Sequence, residues 1–346
     1  MAYTTINKST DHFNTKLWTG TGSSNAITGV GFQPDFCWVK SRSLTENHFL
    51  NNAINGSTRV CQSDTNAAEQ TSSNGMTSFN SDGFTVNTDT GFNGNGATYA
   101  AWNWKGNGAG SANTAGSINS TVSANTTSGF SIVKWTGNGS TATVGHGMGM
   151  APELVFYKTL GTGGWYTYAK HALGSNGASG KVVIGFLENT AAFTNDTSSF
   201  QSTDPTSTLL YVGGGANLSG ENIAYCFSSV AGFSKIGSYI GNGNANGKFV
   251  YTGFKPAFIM AKKTSAGGDN WFIFDSKRAG YNVDNNYLHP DTNGAEGTSD
   301  YLDIISNGFK LRTSGGDING SGATFIYMAF AEAPLVGSNN VPATAR

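Results

Sequence analysis

Five acidic residues fall close together in the last third of the chain, and paired carboxylates are what a glycan-cleaving enzyme requires. They are Asp275, Asp284, Glu296, Asp300 and Asp303. A glycosidase holds its two carboxylates about 5 to 10 Å apart across the sugar, but these five lie in loop-like sequence at no diagnostic spacing. We interpret them as solvated loop acids and expect that the protein is not an enzyme.

Other patterns that carry catalysis or hold cofactors are missing from the sequence. The histidines never pair at the spacings of metal ligands, and no Gly-x-Ser-x-Gly elbow is found. Glycine-rich stretches such as Gly106-Asn-Gly-Ala-Gly110 lack the Gly-Lys-Ser/Thr of a phosphate loop. Cys37, Cys61 and Cys226 are scattered, and those inside apolar strands are interpreted as buried thiols. We predict no metal site and no cofactor.

Two tryptophans are the main candidates for ligand binding. Trp165 and Trp271 occupy equivalent places after a glycine-rich turn, and an exposed indole ring can stack on the face of a sugar. Lys158, Lys262 and Asp275 are close enough in sequence to bond the sugar hydroxyls. The other interpretation is that a tryptophan repeated at the same place in each copy is a core residue. In that case Trp271→Ala lowers stability by about 3 to 5 kcal/mol, whereas a surface site would lose glycan binding alone.

The elements that must position these residues belong to a block that the chain contains three times. Each copy opens on aromatic-x-Gly-x-Gly and then reaches Gly-x-x-Pro. The openings are Trp18-Thr-Gly-Thr-Gly22, Trp135-Thr-Gly-Asn-Gly139 and Tyr239-Ile-Gly-Asn-Gly243, and the prolines are Pro34, Pro152 and Pro256. The copies start a domain's length apart, unlike the short repeats of a solenoid. The sequence therefore predicts three modules in tandem.

Each copy continues in the same way after its proline. A short apolar run ends in Lys40, Lys158 or Lys262, a polar turn follows, and a second aromatic run completes a predicted hairpin. Glycine makes up 48 of 346 residues, and no segment has the apolar stripe of a helix. We expect an all-β protein of three tandem β-sandwich modules, jelly-roll-like because the turns are irregularly spaced. Recognition chemistry is expected where the copies differ, in the loops after the three lysines.

The composition between the copies indicates the module boundaries. The predicted parts are module 1 at 1–105, a Gly/Ser/Asn-rich linker at 106–125, module 2 at 126–230, module 3 at 231–334 and a C-terminal tail at 335–346. The linker has few apolar residues and is expected to be flexible or to lie extended on a neighbouring surface. The junction between modules 2 and 3 is short and partly apolar. We expect a loosely attached first module followed by a rigid pair.

The charge of the chain limits its partners. The net charge is −1 and only 12% of the residues are charged, so we expect neither a nucleic acid nor an anionic membrane as a partner. No apolar run approaches the length of a membrane span, and the first residues lack the pattern of a signal peptide. Synthesis and folding in a cytosol are expected. So little charge suits a protein that is packed into an assembly or held outside a cell.

Several lines of the sequence resemble a repeat found in virion proteins of tailed bacteriophages, particularly phages of marine bacteria such as cyanobacteria. The lines are Met1-Ala-Tyr-Thr-Thr-Ile-Asn7, Trp18-Thr-Gly-Thr-Gly22, Ala101-Trp-Asn-Trp-Lys105 and Tyr251-Thr-Gly-Phe-Lys-Pro256. The resemblance spans nearly the whole chain. It implies a structural or tail-fibre-like protein located in the virion, and it supplies no catalytic residues.

Two functions follow as expectations. In the first, the chain is a tail-fibre or host-recognition component that binds cell-surface glycan through several modules, as a homo-oligomer with a trimer favoured. In the second, it is a capsid decoration protein that stabilises the coat through buried area. Other virion proteins are partners in both. The sequence has no heptad shaft and no collagen-like run, which weakens the fibre interpretation without deciding for decoration.

Overall fold

The computed structural model describes residues 4–172, 182–196, 198–278, 282 and 284–333. The protein is all-β, as the sequence predicts, with 47% of the described residues in strands and 5% in helices. The helices within the described ranges are single turns, because no apolar stripe stabilises a longer one. They are the 3-10 helices Ser9–Asp11 and Gly214–Asn217 and the α-helices α1 (Thr90–Asn93) and α2 (Gly316–Asn319).

The strands fall into three successive groups, which we call the first, second and third units. The first unit consists of β1 (Phe13–Thr19), β2 (Asn25–Thr28), β3 (Phe36–Ser41), β4 (Phe49–Asn52), β5 (Gly56–Gln62), β6 (Gln70–Thr71), β7 (Met76–Asn80), β8 (Gly83–Val86) and β9 (Thr98–Trp104). Its main sheet has the order β1-β9-β3-β4-β5-β6, and its small sheet has the order β2-β8-β7.

The second unit begins inside the predicted linker. It consists of β10 (Ser111–Asn113), β11 (Ser120–Asn125), β12 (Phe130–Gly137), β13 (Ala142–Gly145), β14 (Leu154–Thr159), β15 (Trp165–Ala169), β16 (Val183–Phe186), β17 (Thr194–Asn195), β18 (Leu209–Val212) and β19 (Gly220–Phe227). The main sheet has the order β10-β11-β12-β19-β14-β15-β16-β17, and β13 pairs with β18. Residues 106–125 therefore do not form a free linker, because β10 and β11 extend this sheet.

The third unit ends at Ala333, the last residue described. It consists of β20 (Ser234–Ile240), β21 (Phe249–Tyr251), β22 (Lys255–Lys263), β23 (Phe272–Asp275), β24 (Asp284–Tyr287), β25 (Gly297–Ile305), β26 (Gly308–Leu311) and β27 (Thr324–Ala333). Its main sheet has the order β20-β27-β22-β23, and its small sheet has the order β21-β26-β25-β24. The predicted tail at 335–346 lies outside the described residues.

The repeated aromatic-x-Gly-x-Gly line folds onto the single-turn helix of its own unit. In the second unit, a Cβ atom on Gly137 would lie 2.2 Å from the carbonyl oxygen of Leu218, so only glycine fits. Gly139 has a φ of 74°, which favours glycine, and its N–H donates to the carbonyl oxygen of Asn217 at 2.9 Å. The same bond joins Gly22 to Asn93 and Gly243 to Asn319. The line therefore specifies a turn of the fold.

Each main sheet is buried on both faces. One face packs on the small sheet of the same unit, as Val133 of β12 and Leu210 of β18 do in the second unit. The other face contributes to one central core that all three units share. Large members of the central core include Trp38, Trp102, Trp104, Phe156, Trp165, Tyr225, Phe258 and Trp271. A strand between two apolar layers needs apolar residues at successive positions, and β3 is buried at every position.

Aromatic rings of different units meet directly in the central core. The distances between ring centroids are 4.3 Å for Phe36 and Tyr225, 6.1 Å for Phe156 and Trp271, and 5.7 Å for Trp104 and Phe330. The first unit is thus packed against both of the others, unlike the loosely attached module expected from the linker. Linker composition was a poor guide, because the side chains that hold the first unit lie within its own strands.

Candidate functional site

The two candidate tryptophans join neighbouring units. Trp165 and Trp271 are 0% and 1% exposed. Nε1 of Trp165 donates to the carbonyl oxygen of Gln62 in the first unit at 2.8 Å, and Nε1 of Trp271 donates to that of Phe186 in the second unit at 2.9 Å. Sugar stacking requires an exposed ring, and both rings are buried. Of the two interpretations of these tryptophans, the core interpretation is therefore correct. These rings have no free face, because the central core covers them.

His48 holds the corresponding place in the first unit, beside Lys40. Its Nδ1 atom accepts a hydrogen bond from Nε1 of Trp38 at 3.0 Å. Burial lowers the pKa of His48 well below its usual value, and the nearby positive charge of Lys40 lowers this pKa further. The backbone of His289, in the third unit, acts in the opposite direction. Ser63, whose N–H donates to the carbonyl oxygen of His48, donates through its Oγ atom to the carbonyl oxygen of Pro290 in the third unit at 2.7 Å, so the contacts between units close into a cycle.

The three lysines at the ends of the apolar strands are also buried. Lys40, Lys158 and Lys262 are at most 1% exposed. Each ammonium group donates to backbone carbonyl groups at the end of its own strand or in the loop that follows. The acceptors include the carbonyl oxygens of Ser41 at 2.8 Å, Thr159 at 2.7 Å and Asp269. Burial lowers the pKa of Lys40 to about 8, and it lowers the pKa values of Lys158 and Lys262 as well. Lys158 and Lys262 therefore act as structural donors and do not reach the surface.

Asp275 lies in a buried ionic cluster between the first and third units. Its Oδ2 atom accepts bonds from Nε1 of Trp102 at 3.0 Å and from Nε of Arg278 at 2.6 Å. Glu296 then bonds Arg278 at 2.9 Å and Arg42 at 2.8 Å. Burial lowers the pKa of Arg278, but Asp275 and Glu296 outweigh burial and raise it. The cluster joins two units and contains no free carboxylate pair with space for a sugar.

The loops after the three lysines carry a further set of contacts between units. In each case, a backbone N–H of one unit donates to a carbonyl oxygen at the second position after a lysine. The bonds are Glu69 to Leu160 at 2.9 Å, Phe193 to Thr264 at 3.0 Å and Glu296 to Arg42 at 2.8 Å. The first unit donates to the second, the second to the third and the third to the first, so these bonds also form a cycle. The part of each loop next to the lysine, where recognition was expected, therefore holds the units together.

The candidate site that the structure does show is a surface groove in the third unit. It has a volume of about 420 Å³. The lining residues are Ser238, Tyr239, Ile240, Lys248, Phe249, Val250, Tyr251, Thr324 and Tyr327. Ile240, Phe249 and Tyr251 are 54%, 42% and 62% exposed, the highest values among the exposed large apolar side chains of the described residues. The groove lies between β20 and β21, the outermost strands of the two sheets.

The exposed rings of Phe249 and Tyr251 are specific to the third unit. Val250 between them lies opposite Phe309, just as Ile27 lies opposite Phe84 in the first unit and Val144 lies opposite Leu210 in the second. The residues at the two equivalent positions are Ala26 and Thr28 in the first unit and Thr143 and Gly145 in the second. The sequence contained this signal, because comparison of the copies at this strand shows aromatic residues replacing small ones.

Two other kinds of site are not found in the described part of the chain. The described residues contain no group of three or more His, Cys, Asp or Glu side chains that could hold a metal ion. Among these same residues, no helix has both the length and the apolar character needed to cross a membrane.

The fold and its contacts define the class of this protein: it is an all-β protein in which three pairs of sheets surround one core. Residues 8–334 match the family model described as a domain of unknown function (DUF7483), and the chain belongs to that family. The matched range includes all three units, so the family domain corresponds to the whole three-unit body. No curated protein matches the chain.

Proposed function

We propose that this chain is a structural protein of a bacteriophage virion, where it serves as a tail-fibre or host-recognition component. The sequence lines that resemble phage virion proteins support this proposal. We further propose that each unit is a jelly-roll-like sandwich module and that the chain acts by binding, without catalysis. Other virion proteins are its partners, and copies of the chain associate as a homotrimer.

The observation that carries the proposal is the shared central core. Bonds between units form a cycle through Trp165, Trp271 and Ser63, which donates to the carbonyl oxygen of Pro290. A body held in this way has no hinge between its units, since relative motion would expose the aromatic core. Such rigidity suits a protein that must keep a fixed shape within a particle.

Glycan binding is a second candidate function, and one observation favours it. Phe249 and Tyr251 present exposed rings beside Lys248 on the groove of the third unit. Aromatic faces next to polar groups can stack on sugars and bond their hydroxyls. Glycan binding would thus use residues other than the buried Trp165 and Trp271.

Locating the chain in purified virions tests the proposed function. Gold-labelled antibodies against the chain should decorate the tail, and quantitative mass spectrometry should count copies in multiples of three or six. Labelling of the whole head with hundreds of copies would support capsid decoration instead. Absence of the chain from purified virions would overturn both virion roles.

A further inference from the structure

In the second unit, one extended segment closes the side of the sheet pair. Strand β11 pairs with the edge of β12, with Val122 opposite Val133. Just before β11, the N–H groups of Ser117 and Ile118 donate to the carbonyl oxygen of Thr143 on β13, at 3.0 and 3.1 Å. Val122 belongs to the core between the two sheets, and Ile118 packs against that core. The segment therefore adds to the main sheet and the small sheet at once.

The equivalent side of the third unit has no such segment among the described residues. β20 corresponds to β12 and is the outermost strand of its sheet. The N–H of Ala331 donates to the carbonyl oxygen of Phe233, and the N–H of Gly241 donates to the carbonyl oxygen of Ala323. The backbone groups of Phe233 and Gly241 therefore point toward β27. Because these groups alternate along an antiparallel strand, those of Ser238 and Ile240 point to the open side.

The small sheet of the third unit is open in the same way. The N–H of Leu311 donates to the carbonyl oxygen of Lys248, and the N–H of Thr252 donates to the carbonyl oxygen of Asn307. The backbone groups of Lys248 and Thr252 therefore point toward β26. The backbone groups of Phe249 and Tyr251 therefore point outward by the same alternation. Phe249 is the counterpart of Thr143, whose carbonyl oxygen receives the added segment in the second unit.

The charge of the groove also narrows the choice of occupant. Of the described residues that line the groove, Lys248 is the one charged side chain, and none is a carboxylate. The remaining lining is aromatic, aliphatic or hydroxyl-bearing. An occupant with apolar groups and one negative charge complements this surface.

We propose that the open side of the third unit binds an extended strand of a partner polypeptide, as β11 and the residues before it bind in the second unit. The strand carries β-branched apolar side chains separated by Ser or Thr, like Ile118 and Val122, and an acidic side chain beside Lys248. Main-chain bonds to a sheet edge supply affinity, and the groove selects the side chains. This inference rests on the proposed function, in which the partner is another virion protein.

A peptide is favoured over a glycan because the groove offers two rows of outward backbone groups. Ser238 and Ile240 supply one row, and Phe249 and Tyr251 supply the other. Sugar stacking would use the rings but would not bond the outward N–H and C=O groups of Ser238, Ile240 and Phe249; the carbonyl oxygen of Tyr251 accepts from the Tyr327 hydroxyl group at 3.5 Å. An added strand bonds these groups and covers the rings as well.

The test uses the full chain and a synthetic peptide with the sequence of residues 114–125 that carries Asn119→Asp, so that the peptide includes the acidic side chain. Peptide binding should slow amide hydrogen exchange at Ser238 and Ile240 by about tenfold or more. Ser238→Pro removes an outward N–H from an edge position that tolerates proline, and it should abolish this binding. Ser238→Ala keeps the N–H group and is the matched control, with binding as in the unmodified chain.

A second variant covers the case in which Ser238→Pro does not fold. Phe249→Ala combined with Tyr251→Thr installs the residues of the first unit and should weaken peptide binding by about tenfold or more. Unchanged exchange at Ser238 and Ile240 with millimolar peptide would overturn the proposal. Glycan binding that survives Ser238→Pro but not the double change would also overturn it. If the chain is found in virions but does not bind the peptide, the proposed function stands and the inference about strand binding fails. If the chain binds the peptide but is absent from virions, the proposed function fails.

Discussion

At the scale of single residues, buried polar groups with defined bonds join the units. Trp165 and Trp271 each place an indole N–H on a carbonyl oxygen of the preceding unit. Asp275 and Arg278 pair at 0% side-chain exposure, and the ring of Trp102 lies 5.6 Å from the Arg278 guanidinium carbon. A buried polar group is costly when it loses its partner. These residues should therefore affect stability far more than ligand binding.

Substitutions at Trp271 test this placement. Trp271→Ala should lower the free energy of unfolding by about 3 to 5 kcal/mol, because a large buried ring is removed. Trp271→Phe should cost less, about 1 to 3 kcal/mol, because it mainly leaves the carbonyl group of Phe186 without its donor. Urea denaturation measures both, and the exposed Tyr251→Ala is the control, within about 0.5 kcal/mol of the unmodified chain. A Trp271→Ala chain that keeps its stability would contradict the core placement.

Lys40 should make stability depend on pH above neutrality. Burial lowers its folded-state pKa to about 8 from 10.5, so the folded state binds fewer protons than the unfolded state between these values. The contribution of Lys40 to the free energy of unfolding should therefore rise as the pH increases from about 8. Lys40→Met should thus lower the pH slope of the free energy of unfolding, whereas the exposed Lys235→Met should leave this slope unchanged. Equal pH slopes for Lys40→Met and the unmodified chain, measured by denaturation, would contradict the shift.

At the scale of elements, each aromatic-x-Gly-x-Gly line is a strand end locked to a single-turn helix. Asn93, Asn217 and Asn319 are the last residues of these helices; their side chains are fully buried and bond the turn of the line. The turn thus ties the strand that carries the line (β1, β12 or β20) to the residues that precede its partner strand (β9, β19 or β27). This explains why the line recurs in every unit although the units differ in their loops.

Gly137→Ala tests the close approach within this turn. The added methyl group would lie 2.2 Å from the carbonyl oxygen of Leu218, so the turn must move, at a cost of about 1 to 3 kcal/mol or more. Gly316→Ala is the control, because a Cβ atom there meets nothing within 4 Å. Thermal unfolding of the two variants should differ clearly, and a similar melting temperature for both would count against this account.

The strands were predictable from sequence, but their surroundings were not. The hairpin in which Lys158 lies opposite Trp165 is confirmed, because strand-forming runs and turns are local signals. The faces that the side chains occupy depend on the other units. The run from Phe36 to Val39 is apolar at successive positions, which indicates burial on both faces but does not say what covers the second face. Trp165 and Trp271 could therefore be placed in strands but not in an interface.

At the scale of the molecule, the central core makes the three units interdependent. Phe36, Trp38 and Trp104 of the first unit would be exposed to water without the other two units. Since burial of aromatic surface is a main source of stability, a single unit lacks much of its core.

The whole chain should therefore unfold in one cooperative transition. Scanning calorimetry should give equal calorimetric and van't Hoff enthalpies, and residues 1–105 expressed alone should not fold stably. Small-angle scattering should show one body. Separate transitions, or a folded isolated fragment 1–105, would support the loosely attached module that the composition of residues 106–125 suggests.

The cycle of contacts also has a consequence for stoichiometry. A homotrimer repeats every surface feature three times, but here the cycle closes within one polypeptide, so equivalent positions are free to diverge. The second unit fills its edge with its own β11, while the third leaves Ser238 and Ile240 facing outward. In the first unit β1 and β2 are also outermost strands, but Ala26 and Thr28 stand there in place of the rings of Phe249 and Tyr251. An edge with exposed rings is thus found at one of the three related places, and a chain that binds through it would take up one partner strand.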